Sequence, residues 1–212
     1  MLTLESARRY YPEGADAVHG FDHIERVYRM AERLALEEGA DLEIVRAAAL
    51  LHDAQGSLSG AEERLDHHEQ SALFAGEVLA EEGWLPERIA AVQHAIRAHR
   101  YRDRREPPQT IEAKVVFDAD KLDVLGAIGA VRVVVYAALA GQPTYAEPSR
   151  QFLETGKEEP GEPHSAYHEW LFKLRNVRER LFTDTARAIA DERMAYLAAF
   201  FERLGQEMRG EA

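Results

Sequence analysis

Nine histidines and no cysteine leave imidazole and carboxylate as the strong metal-binding groups of this chain. His19, His23, His52, His67, His68, His94 and His99 all precede residue 100, and His164 and His168 follow much later. Asp53 directly follows His52, and the run "DADKLD" supplies Asp118, Asp120 and Asp123. Without sulfur, such groups suit zinc, manganese, iron, cobalt or magnesium-like divalent ions, with geometry and availability deciding which. Two histidines and two aspartates on one ion would leave positions for water and a phosphate oxygen. A cation so held both polarises phosphorus and lowers the pKa of water, which is the chemistry of phosphate-ester hydrolysis. The oddest placement lies in "LEIVRAAALLHDAQG", residues 42–56, where His52 and Asp53 close an apolar run. A buried ionisable pair is costly unless something compensates it, so partners must come from elsewhere in the chain.

The elements that position these groups read as helices. Residues 22–37 place Ile24, Val27, Met30, Ala31, Leu34 and Ala35 at spacings of three and four, one apolar stripe on a helix. Asp22 is its candidate N-cap, with Glu25 reciprocating. A second helix runs from Asp41, another cap candidate, through Leu51, and a third from about His67 to Glu82, ended by Gly83. "LPERIAAVQHAIRAHR" has Pro86 where a first-turn proline is tolerated and continues to His99. The charged, proline-containing loop "YRDRREPPQT" follows, and helix resumes at Thr110 to about Leu139. Within it "VRVVVY" alone would suit a strand, but no second strand is in evidence to pair with it. Residues 142–163, with four prolines among charges, read as a long loop or lid, and 164–208 as one or two amphipathic helices. The expectation is an all-α, single-domain chain.

Bulk composition narrows the function. With 212 residues and 46% hydrophobic content the chain can bury one substantial core. Its 38 acidic and 26 basic residues give a net charge of -12, which repels phosphate backbones and anionic lipid headgroups. No nucleic-acid polymer and no membrane partner is therefore expected, while a small phosphorylated substrate remains compatible, because a bound cation reverses the local potential. The absence of cysteine, of an N-terminal basic flank with a long apolar stretch, and of an apolar run of roughly 18 residues gives the expectation of a cytoplasmic protein.

The ordered pieces "HGFDHIERV", "ALLHDAQG" and "DADKLD" resemble the HD-domain superfamily of metal-dependent phosphohydrolases. Its signature is a His, then adjacent His-Asp, then a distant Asp, on a helical bundle. The resemblance runs from about residue 19 to 135, and "IAAVQHAIRAHR" with "TIEAKVVFDADKLDVLGAIGAVR" is similar to a small, poorly characterised bacterial branch. In that branch the C-terminal helices usually belong to the same domain and pack on the bundle, which implies one HD-type domain over 1–212. The resemblance implies His23, His52, Asp53 and Asp120 as metal ligands, with Asp118 orienting a ligand histidine. It also implies a phosphomonoesterase or phosphodiesterase acting on a nucleotide-like small molecule.

Further candidates rest on position. By resemblance to superfamily members with extra histidines between the His-Asp pair and the last Asp, His68, His94 and His99 could hold a second metal, though the five-residue spacing of His94 and His99 puts one of them off any shared helix face. Either could instead contact substrate, as could Arg26, one turn from His23; the alternative for Arg26 is a surface ion pair. Asp53, Asp123 and Lys121 are candidate catalytic groups, Asp123 as the acid that protonates the leaving oxygen and Lys121 as a neutraliser of developing charge. For His67, His164 and His168 a solvated surface is the default reading. Trp84, Phe200 and Phe201 read as core or interface. A non-catalytic sensor of a phosphorylated metabolite and a two-iron oxidative enzyme are the alternatives. The apolar face "MAYLAAFFERL" could cap the bundle or pair two chains as a homodimer.

Overall fold

The computed structural model describes residues 2–11, 20–55, 67–100 and 105–212. His19 lies outside the described residues. Helices α1 (Leu4–Ala7), α2 (Phe21–Glu38), α3 (Leu42–Leu51), α4 (His67–Glu81), α5 (Pro86–Ala98), α6 (Ile111–Leu122), α7 (Gly126–Leu139), α8 (Arg150–Thr155), α9 (Ala166–Phe172) and α10 (Asp184–Met208) follow in order, with short 3-10 turns between some of them. The described residues contain no strand, so the architecture is all-α. No single helix among them is long and apolar enough to cross a membrane. The chain forms two compact units: Met1–Lys121 with Leu181–Ala186, and Leu122–Arg180 with Arg187–Ala212.

In the first unit α3 is the hub, packing against α1, α2, α4 and α5. Ile44, Val45 and Ala47–Leu51 are all buried, and a helix apolar on nearly every side belongs in a core. Asp41 caps it, its Oδ1 accepting from the N–H groups of Glu43 and Ile44. The stripe on α2 is buried at Ile24, Val27, Ala31, Leu34 and Ala35. Gly20, not Asp22, is the cap of α2. Asp22 sits inside the first turn, where its negative charge favours the helix dipole and reaches Arg26 one turn on. Close packing of α4 on α5 depends on Gly76: a Cβ there would come within 2.4 Å of the Gln93 amide nitrogen, which itself donates to the Ala72 carbonyl.

The helix expected over 110–139 is broken in two. Leu125 is extended and Gly126 has φ of 70°, a left-handed conformation that only glycine adopts cheaply, and the periodicity either side of it gave no warning. "VRVVVY" is helical within α7. In the second unit α7 packs on α9, and the expected loop at 142–163 contains α8, capped by Ser149. Phe152 of α8 is buried against the His168 ring, 4.4 Å between centroids. Phe201 of α10 is also buried, stacked on Trp170.

Candidate metal centre

The end of α3 presents His52 at its C-cap and Asp53 in the turn beyond. The His52 ring is fully buried, and its Nδ1 lies 2.9 Å from the Ala49 carbonyl, which turns Nε2 toward the cluster. That Nε2, and Oδ1 of Asp53, are buried with no hydrogen-bond partner. Into the same corner come His23 from the first turn of α2 and Asp120 from α6, both buried. His23 Nε2 stands 3.5 Å from Asp120 Oδ1 and 3.9 Å from Asp53 Oδ2, and His52 Nε2 stands 3.6 Å from Asp53 Oδ2.

These separations are informative. A hydrogen bond would bring the atoms to about 2.7–3.2 Å. Ligands about 2.1 Å from a shared cation stand about 3.0–3.4 Å apart along the edges of an octahedron or tetrahedron. The observed spacing is too wide for direct bonding and close to a coordination cage. One donor atom each of His23, His52 and Asp120 lies within 4.8 Å of the others. The donor set therefore fits a divalent cation.

Asp53 faces a second group with its other oxygen. His99, C-cap of α5, has Nδ1 2.5 Å from the Ile96 carbonyl, so its Nε2 is likewise the free nitrogen, 3.6 Å from Asp53 Oδ1. His67, first residue of α4, places Nε2 3.5 Å from the same oxygen. His52, Asp53 and His99 form the second trio with donor atoms in mutual reach. Burial pushes the Asp53 carboxyl up, but the rings of His52, His99 and His67 outweigh it and hold it well below the usual carboxylate range. Burial likewise opposes ionisation of Asp120, and Lys121, His23, His52 and His99 overcome it.

Other sequence candidates have partners of their own. Lys121 is paired with Asp120 and lies over the Phe117 ring, 5.4 Å from its centroid. Arg26 contacts Asp22 at 2.6 Å, the surface-pair alternative. His94 is not brought into the cluster: its Nδ1 is 2.6 Å from Glu106 and its Nε2 accepts from the Gln109 N–H, so both ring nitrogens are engaged. His68 is buried, but Arg100 donates to its Nδ1 at 3.3 Å and Glu69 lies 3.7 Å from its Nε2. Asp123 is buried in an ion pair with Arg132 in the second unit, an arrangement for holding charge rather than for giving up a proton. Asp118, expected to orient a ligand histidine, accepts from the N–H groups of Phe182 and Thr183 and from the Thr183 hydroxyl. His168 is not solvated: fully buried, it bonds Ser165 through Nδ1 and Glu162 through Nε2. His164 contacts Glu158 and Glu169.

His67 is the residue that sequence reasoning missed. In "DHHEQSA" the buried stripe of α4 runs through His68, Ser71, Ala72 and Ala75, which singles out the wrong member of the pair. The clue for His67 was its place at the helix start, where a side chain can turn along the axis instead of onto the packed face.

The chain is similar to known proteins over most of its length. The family model for the HD domain matches residues 20–125. The uncharacterized protein YpgQ of Bacillus subtilis (strain 168) is 32% identical over 198 residues, covering 91% of this chain and 85% of that one. A crystal structure of Bacillus subtilis YpgQ in complex with ADP superimposes with a TM-score of 0.75 at 30% identity, over 99% of this chain and 100% of that one. An HD-superfamily hydrolase from Bacillus thuringiensis gives a TM-score of 0.71 at 28% identity, over 97% and 96% of the two chains.

Proposed function

The chain belongs to the HD domain family, and on that premise we propose that it is a metal-dependent phosphohydrolase cleaving a phosphomonoester or phosphodiester bond of a nucleotide-like small molecule. His23, His52, Asp53 and Asp120 hold the divalent ion. The observation that carries the reading is the orphaned, fully buried His52 Nε2, at a corner where His23 and Asp120 converge and Asp53 Oδ2 lies 3.6 Å away. Leaving a buried polar atom unpaired costs about 1–3 kcal/mol, which a cation there offsets.

A divalent ion bound there supplies Lewis acidity, drawing charge from the phosphoryl group and lowering the pKa of a water. The chain's residues do the rest. The Ala49 and Ile96 carbonyls fix the tautomers of His52 and His99, so that both rings aim lone pairs inward. Asp53 presents Oδ2 to His23 and His52, and Oδ1 to His67 and His99. A second ion, where one binds, has Asp53 Oδ1, His67 and His99 as its donors in place of His68 or His94. Lys121 offsets the charge of Asp120 and that of an incoming phosphate. Arg26, one turn from His23, can exchange Asp22 for a phosphate oxygen. The leaving oxygen takes its proton from water or from a cluster histidine, since Asp123 is engaged by Arg132.

Support for a nucleotide comes from the relative solved in complex with ADP. Support for a small substrate rather than a polymer comes from the net charge of -12. The test is Asp53→Ala assayed on a nucleotide panel with manganese, cobalt or magnesium. The variant is expected to lose both bound metal and phosphate release. Turnover retained without metal would remove the mechanism, and wild-type binding without product would make the protein a sensor instead.

A further inference from the structure

The last carbonyls of an α-helix have no partner within the helix and must find one elsewhere. At the end of α3 three of them are accounted for individually. The Ala49 carbonyl takes the Nδ1 proton of His52, and the Leu51 carbonyl accepts from the Ala54 N–H at 3.2 Å. The Leu50 carbonyl takes the hydroxyl of Tyr11, a buried bond of 2.8 Å from a residue 39 positions earlier. Tyr11 is only 6% exposed, and its ring packs on Phe21 at 5.3 Å. Burial, with the Asp53 carboxylate behind it, keeps the hydroxyl protonated and so a donor. On the far side of the turn, the fully buried Ser71 of α4 accepts from the Gln55 N–H at 3.1 Å and donates to the Gln55 carbonyl at 3.2 Å.

Leu50 and Gln55 bracket His52 and Asp53. Gripping the backbone at both points fixes where the two side chains emerge, with neither Tyr11 nor Ser71 among the donor groups facing a cation. We infer that Tyr11 and Ser71 are positioning residues, a two-sided clamp on the turn that carries two metal ligands. Tyr11 lies before residues 20–125, the part that the family model matches, so the N-terminal segment of this chain contributes to a site built elsewhere. The inference rests on the metal reading above, and it goes beyond it in assigning ligand geometry to side chains that hold the backbone of the turn.

The probe is cobalt(II) alone, added to the full chain and read as a dissociation constant and as the visible absorption of the bound ion. Tyr11→Phe removes one hydroxyl and keeps the ring; Ser71→Ala tests the other side independently. Each is expected to weaken cobalt binding about tenfold and to shift the absorption, as loss of an outer support does to a metal site. Leu34→Ala, a cavity in the buried face of α2 well along the helix from His23, calibrates what lost stability alone does; its spectrum should match the wild type. Wild-type affinity and spectrum in both Tyr11→Phe and Ser71→Ala would overturn the inference while leaving the metal reading intact. A change in one variant alone would confine the clamp to that side. Wild-type protein that binds no cobalt would overturn the metal reading, and the clamp with it.

Discussion

Imidazoles that look equivalent in sequence are sorted by what holds their far nitrogen. His52 and His99 each have Nδ1 against a backbone carbonyl of the preceding turn, which leaves Nε2 free for a cation. His94 has a carboxylate on one nitrogen and an amide N–H on the other. A five-residue spacing sets His94 and His99 on different faces, and the contacts show that His99 is the one aimed at Asp53. The expected consequence is a split in manganese titrations: His99→Ala should weaken binding about tenfold or more, while His94→Ala stays within about twofold. The reverse order would place the site around Glu106. His23, His52, Asp53 and Asp120 were legible because order along the chain and flanking apolar residues were both readable. His67 was not, because a helix start frees a side chain from the periodicity on which the sequence argument depends.

The helices themselves were largely readable, and the misses have physical causes. The Asp41 cap candidate and the apolar run to Leu51 match α3, whereas α2 starts two residues earlier than the Asp22 cap reading allows. The break between α6 and α7 hangs on one glycine in a left-handed conformation, and Gly126 carries no mark that distinguishes it from Gly129 three residues later. Asp118, two residues from Asp120, has described bonds that tie α6 to Phe182 and Thr183, just ahead of α10. The segment expected to be a lid is fastened by Glu162, which accepts from the N–H groups of Ser149 and Glu159 and contacts His168. Burial pushes the Glu162 carboxyl up, but those bonds outweigh it and carry it down to about 2. A carboxyl depressed in the folded state stabilises above its unfolded value of about 4.3 and loses that contribution as pH falls toward the folded one. Thermal unfolding of Glu162→Gln should therefore lose the part of the acid-side decline between those values that is due to this group. An unchanged pH profile would show that the fastening carries no net stability.

At the scale of the whole molecule, composition and the family resemblance together set the expectations: all-α, with no sulfur chemistry and a surface hostile to polyanions. Charge balance says nothing of where a cation would reverse the potential locally; that needed His23 of α2, Asp120 of α6, and His52 and Asp53 at the end of α3 to be seen within 3.9 Å of one another in successive pairs. Length and hydrophobic content did not reveal the two compact units, because both have similar composition and no linker separates them in sequence. The central claim is convergence on one ion, and its most direct test is an anomalous difference map from crystals grown with manganese. The account expects a peak within about 2.0–2.4 Å of His23 Nε2, His52 Nε2, one Asp53 oxygen and one Asp120 oxygen. A map with no peak at that corner, or a peak held by His94 and Glu106 instead, would contradict it.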